Sequence, residues 1–243
     1  MKKIFIIVYL IPIFIGCDSG GDVKLPVPGK VLMVPHMPDT SAVEQGIDAV
    51  PESDGVILEW YGLNDTGVRY YDIYRQKENE TYFRRIKRID LETAFPGSDT
   101  VYTDNSADIQ LNIYNYYYVK AVNRDDAEGS PSDTVRYKLI EKPATTRPSG
   151  ELVQGLPVLY WSFPGVIPDN YIVRIEEEFT NRVVLVRQFK VQEYFEEQSL
   201  DLGKVESPPQ FISGFTYRWR IDSVGPQVDE SGSESQWRIF TAQ

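Results

Sequence analysis

Apolar and polar side chains change places every second residue along much of this chain. Val56, Leu58 and Trp60 alternate with Ile57 and Glu59. Tyr117, Val119 and Ala121 alternate with Tyr116, Tyr118 and Lys120. Tyr217, Trp219, Ile221 and Ser223 alternate with Arg218, Arg220 and Asp222. A period of two sends one set to each face of a β-strand. Turn clusters separate the runs: GLNDTG (62–67), NRDDAEGSPS (123–132) and PGVIPDN (164–170). No stretch holds a long amphipathic helical period, so the pattern predicts short antiparallel strands throughout.

The pattern also repeats. Trp60 closes an apolar alternation and so does Trp161; Tyr71 matches Tyr171, Val119 matches Ile221, and Gly129 matches Gly232. These four landmarks keep their order at offsets of 100 to 103 residues. Strands at this density, in units of about 100 residues, suggest sandwiches of two antiparallel sheets.

Each half resembles a fibronectin type III domain. The resemblance rests on Trp60, Tyr71, Ile73, Val119, Ala121, Gly129, Ser130 and Asp133 in the first half, with the turn serine one place early at Ser132. In the second half it rests on Trp161, Tyr171, Val173, Tyr217, Ile221 and Ser223, with a closing strand at 235–241. The first half departs from the family at its tyrosine corner, where Asn115 stands between Tyr114 and Tyr116; the second half keeps Tyr217 there. The resemblance implies an all-β chain of two tandem immunoglobulin-like sandwiches, with a core marked by Trp60, Tyr71, Val119, Trp161, Tyr171, Tyr217 and Ile221. The expected division is 30–141 and 151–243, joined by a linker at 142–150. On that division, fragments 29–141 and 150–243 should each fold alone. The long loop at 35–54 holds few large apolar residues, and disorder is expected there.

The N-terminus has its own pattern. Lys2 and Lys3 precede an uncharged run from Ile4 to Ile15, then Gly16 and Cys17, the only cysteine. The run is shorter than the roughly 20 residues that cross a bilayer and suits a secretory segment. Phe14, Ile15, Gly16 and Cys17 resemble the lipobox of bacterial lipoproteins, with Phe14 where Leu is usual. The resemblance implies a signal peptide over 1–16, cleavage after Gly16 and a diacylglyceryl thioether on Cys17. Residues 17–29 then read as a tether, and the address is the bacterial cell envelope. Two acyl chains hold firmly where one does not. The alternative is a chance cysteine after an ordinary signal or short anchor.

Composition narrows the partners. The formal net charge is −11, and cleavage after Gly16 would also remove Lys2 and Lys3. An acidic chain without a basic block argues against nucleic acid and against adsorption to anionic lipid. With its only thiol acylated, no disulfide is available.

Candidate chemistry is sparse. His36 is the single histidine, in a Pro-rich loop where solvation is expected. Glu176–Glu178 and Glu196–Glu197 are close in sequence, but adjacent strand positions face opposite ways. RDDAEG (124–129) lacks the ligand spacing of a calcium loop. The expectation is therefore no catalysis, no metal and no cofactor. The run YNYYYV (114–119) has a binding character. Its outward Tyr116 and Tyr118 either contact a partner protein or sugar ring, or form cross-strand pairs with Tyr70 or Tyr74. The expected function is an envelope lipoprotein presenting two sandwiches for protein–protein contact or structural spacing. Polysaccharide capture is second and an envelope hydrolase third.

Overall fold

The structure is a computed structural model. It describes residues 24–243 except 96, 98, 166, 167, 169, 191–196 and 227–229. Gly16 and Cys17 lie outside the described residues.

The first half has eight strands: β1 (Leu32–Met33), β2 (Asp48–Ala49), β3 (Val56–Tyr61), β4 (Val68–Lys77), β5 (Arg84–Asp90), β6 (Val101–Asp104), β7 (Tyr114–Asn123) and β8 (Val135–Leu139). One sheet is centred on β3, which pairs with β1, β2 and β6; the other runs β5-β4-β7-β8. Val56, Leu58 and Trp60 face Tyr71, Ile73, Tyr117, Val119 and Ala121 across a common core. Trp60 meets Tyr71 edge-on, ring centres 5.7 Å apart, the orientation aromatic quadrupoles favour.

The second half repeats the plan with β9 (Ala144–Arg147), β10 (Leu152–Val153), β11 (Val158–Ser162), β12 (Asn170–Glu177), β13 (Val183–Lys190), β14 (Glu197–Asp201), β15 (Thr216–Val224), β16 (Ser231–Glu234) and β17 (Arg238–Ala242). Strands β14-β11-β9 form one sheet, while β12 joins β13 to β15, and β15 also carries β16 and β17. Trp161 meets Tyr171 edge-on at 5.5 Å, and Tyr217 and Ile221 complete the core. The Tyr217 hydroxyl accepts the Ile212 N–H at 2.8 Å, closing the expected corner. Buried Asn115 makes no such bond; its amide donates to the Ile113 carbonyl at 3.3 Å.

Three segments differ from the sequence expectation. Residues 142–150 are no free linker, because β9 within them pairs with β11. The Lys142 ammonium also donates to the Val50 and Ser53 carbonyls at 2.9 and 2.6 Å. The described end of the tether is docked: Leu25 N–H donates to Asp125 at 2.7 Å and the Asn123 amide donates to the Pro26 carbonyl at 3.0 Å. Loop 35–54 is ordered, with Ile47, Asp48, Ala49 and Val50 buried. Backbone pairing through β2, and a face of the second half to lie against, compensate for its scarcity of large apolar residues.

The halves are joined by main chain as well as by the covalent connection. Strand β16 lies parallel to β8, with Ser231 opposite Lys138 and Gly232 opposite Leu139. Lys138 N–H donates to Glu230 O at 3.0 Å, and Ile140 N–H to Gly232 O at 3.2 Å. The two larger sheets thereby form one sheet of ten strands. Gly232 permits close approach on both sides of β16: a Cβ there would stand 2.8 Å from the Ser223 carbonyl oxygen on β15 and 3.0 Å from the Tyr137 hydroxyl on β8 of the other half.

Trp161→Ala should cost about 3–5 kcal/mol, as large core deletions do. The shared sheet should make the wild type unfold in a single transition, in contrast to independent halves. Gly232→Val should split this into two transitions in calorimetry. Two separate transitions in the wild type would show that the junction does not couple the halves.

Candidate functional site

The outward faces of the paired strands carry the unusual residues. In the first half Tyr74 on β4 lies opposite Tyr118 on β7. The equivalent places in the second half are Arg174 on β12 and Arg220 on β15, again opposite one another. One sheet position thus holds an aromatic pair in one sandwich and a guanidinium pair in the other.

The aromatic face is half-buried. Tyr118 stacks on Tyr74 at 4.7 Å between ring centres, with the planes 18° apart. Phe83 leans on Tyr118, also at 4.7 Å. The Lys120 ammonium sits 5.5 Å from the Tyr74 ring centre and 2.8 Å from Glu128. Tyr118 therefore makes the cross-strand pair with Tyr74. Tyr116, two residues along β7, lies 6.2 Å from the Tyr114 ring. It borders an open groove of about 610 Å³ beside the junction, together with His36, Ile47, Arg136 and Glu230. Arg136 and Glu230 bond each other there, Nε to Oε2 at 3.0 Å.

The guanidinium face is covered by loop 35–54. Arg174 reaches Glu44 at 2.7 Å and donates to the Ser41 carbonyl at 2.6 Å. Arg220 contacts Asp222 at 2.9 Å and also pairs with Glu44 and Glu234. Arg218 binds Glu176 through Nε at 2.9 Å and lies 4.4 Å over the Trp237 ring. Arg174, Arg220, Glu176, Asp222 and Glu234 are all buried. Burial pushes Asp222 up to about 6, although Arg220 opposes it, and pushes Glu234 well above the usual range. A charge taken from water costs heavily unless paired; Glu44, from the first half, pairs with both arginines.

Beside this cluster, loop residue His36 places Nε2 3.3 Å from Asp39. Its side chain is 12% exposed, in contrast to the solvated histidine expected. Asp48 is buried, and its Oδ1 accepts from the Tyr137 hydroxyl at 3.1 Å and from Ala49 N–H at 2.7 Å. His36, Asp39 and Asp48 hold ligand-type atoms within 4.8 Å of one another, as do Glu44, Asp222 and Glu234. Arg220 already pairs with all three members of the second group.

The other sequence candidates are divided among partners. Glu176 serves Arg174 and Arg218, and Glu197 serves Arg147. Within RDDAEG, Asp125 holds Leu25, Asp126 faces Arg88 and Glu128 holds Lys120. The hydroxyls of Ser223 and Ser233 donate to main-chain carbonyls.

The junction escaped sequence reasoning because Arg218, Arg220 and Asp222 alternate with core residues and read as a solvated face. Arg220→Ala should cost about 3–5 kcal/mol in urea unfolding, since it leaves buried carboxylates without their cation. A loss under about 1 kcal/mol would mean that Arg220 is not the pairing centre.

No family model matches this chain, and no curated protein does. Among solved structures it is similar to one described as a myokine structure, at 15% identity and TM-score 0.33, covering 46% of this chain and 96% of that one. It is similar to chicken CNTN1 FN1–FN3 domains, at 15% identity and TM-score 0.31, covering 81% of this chain and 64% of that one. It is also similar to a two fibronectin type-III domain segment of chicken tenascin, at 12% identity and TM-score 0.32, covering 79% and 93%. The all-β assignment, with two tandem sandwiches, rests on the strand pairing described above.

Proposed function

We propose that this protein is a non-catalytic, lipid-anchored component of the bacterial cell envelope that presents two sandwiches as one rigid unit for contact with another protein. One observation carries the reading. The sheet face that the second half uses to grip the first, at Arg174 and Arg220, has its equivalent in the first half at Tyr74 and Tyr118. That equivalent face carries half-buried aromatics. Tyrosine is enriched in interface cores, while most charged residues are depleted there.

The anchor is Cys17, cleavage follows Gly16, and the partner is an envelope or extracellular protein. Anchoring raises local concentration, so a weak contact in solution suffices at the membrane. No nucleic acid, metal or cofactor enters this reading. Loop 35–54 is spent on the junction.

Polysaccharide capture is the second reading, favoured by the groove at Tyr116. Arg136 and Glu230 bond each other in that groove rather than standing free for sugar hydroxyls.

Two measurements test the proposal. Cys17→Ser should release the protein from membranes or leave it unprocessed; unchanged fractionation with normal cleavage would remove the anchor. In crosslinking from intact cells, Tyr116→Ala/Tyr118→Ala should lower partner recovery at least tenfold. Equal recovery would exclude the aromatic face, and retention on an immobilised glycan would favour the second reading.

A further inference from the structure

Asp48 is the one buried carboxylate of the junction with no arginine bonded to it among the described contacts. The groups around it come from every packed element. The 35–47 loop supplies His36, Asp39 and Glu44; β8 supplies Tyr137; β15 supplies Arg220 and Asp222; β16 supplies Glu234. A cavity of about 260 Å³ beside it is lined by Glu44, Glu52, Glu59 and Glu234 as well as Asp48, with Arg220 the cation among the described lining residues. Lys142 points elsewhere, to the Val50, Pro51 and Ser53 carbonyls. Arg174 and Arg218 are taken by Glu44 and Glu176.

The carboxylates here outnumber the guanidinium groups, and Asp48, Asp222 and Glu234 among them are buried. Buried charges of one sign cannot all stay ionised at contact distance. Part of the excess must be removed by protons. Burial pushes Glu234 and Asp222 up as well, but Arg220 holds both; Asp48 and His36 are the pair with no guanidinium bonded to them among the described contacts.

We propose that the junction is a proton-operated clasp, closed while a proton is shared between Asp48 and His36 against Asp39, Glu44 and Glu234, and loosened when that proton leaves. The proposal rests on the rigid-unit reading and adds a control to it.

The direction follows from linkage. Burial first, then the Asp39 charge, raises Asp48 from 3.8 to about 7, with His36 pulling the other way. His36 is raised as well: burial opposes its charge, but Asp39 and Asp48 beside it prevail. A group raised on folding takes up a proton, so its stabilisation is intact below the unfolded value and lost as pH climbs through the folded one. For Asp48 that window runs from about 4 to about 7. Asp108 acts oppositely. Despite its desolvation, Arg75 and Arg84 hold it below the usual range, so its contribution fails only in stronger acid. Closure is therefore firmest in mild acid and weakens towards alkaline pH.

The test uses the purified protein in EDTA, so that no divalent cation substitutes for the proton. Spin labels at Thr81→Cys and Ser213→Cys, in a Cys17→Ser background, report the distance between the halves. Thermal unfolding is followed in parallel. The wild type should give one narrow distance at pH 5.5 and a broadened distribution at pH 8.5. Asp48→Asn, which keeps the acceptor for Tyr137, should stay narrow at both values. It should also raise Tm by roughly 5 °C at pH 8.5 and by about half as much at pH 5.5, which lies midway in the window over which Asp48 titrates. Asp39→Asn should act in the same direction and less strongly, which covers the case in which Asp48→Asn misfolds. A wild-type distribution and Tm that do not change between pH 5.5 and 8.5 would overturn the clasp. So would a pH response retained in full by both variants. A distribution already broad at pH 5.5 would overturn the rigid unit instead.

Discussion

The burial of Arg220 is the constraint on which the rest of this structure depends. A guanidinium cannot lose its hydration without partners that replace it. Asp222 and Glu234 lie on its own sheet, and Glu44 comes from the other half of the chain. Satisfying Arg220 and Arg174 therefore fixes loop 35–54 against the second sandwich, and with it the orientation of the halves. The parallel pairing of β8 with β16 follows the same geometry, because Glu234 sits at the end of the paired strand. The first half shows the same principle internally. Arg75, fully buried, bonds Asp104 at 2.6 Å, and the Tyr117 hydroxyl donates to the same carboxylate.

The cores were legible because they obey a period of two. Trp60, Val119, Trp161, Tyr217 and Ile221 are buried at positions where alternation placed an inward side chain, and Tyr71 and Tyr171, marked by the repeat and the resemblance, are buried with them. The junction was not legible, because the same rule assigns Arg220 and Asp222 to water. Alternation states which face a residue is on. It does not state what covers that face, and here the cover comes from a loop about 175 residues earlier in the chain. The loop itself reads as polar and proline-rich, features shared by disordered segments and by segments that pack against charged partners. Gly232 was visible as a turn landmark. Its role in letting two strands approach required knowledge of which strands meet.

Tandem repeats often keep a core and vary a surface, and the two halves here do so at one sheet position. Tyr74 with Tyr118 and Arg174 with Arg220 occupy equivalent paired sites. The aromatic pair is stable half-exposed, since each ring shields the other and Lys120 caps the stack. The guanidinium pair is stable only under cover. The second half therefore requires the first as its lid, whereas the first can display its face without one.

This asymmetry bears on how an acidic chain without a described disulfide holds a fixed shape. An apolar junction would bind firmly but tolerate sliding, because hydrophobic contact has little directional preference. Buried ion pairs add little net stability, since desolvation offsets their attraction. Their contribution is direction: Arg174 must meet Glu44 and the Ser41 carbonyl together, and that admits one arrangement of the halves. The excess of carboxylate over guanidinium then makes the fixed arrangement conditional on a proton, because the same low-dielectric site that sharpens the pairing also magnifies the repulsion left over. Rigidity and its dependence on pH thus come from one set of side chains.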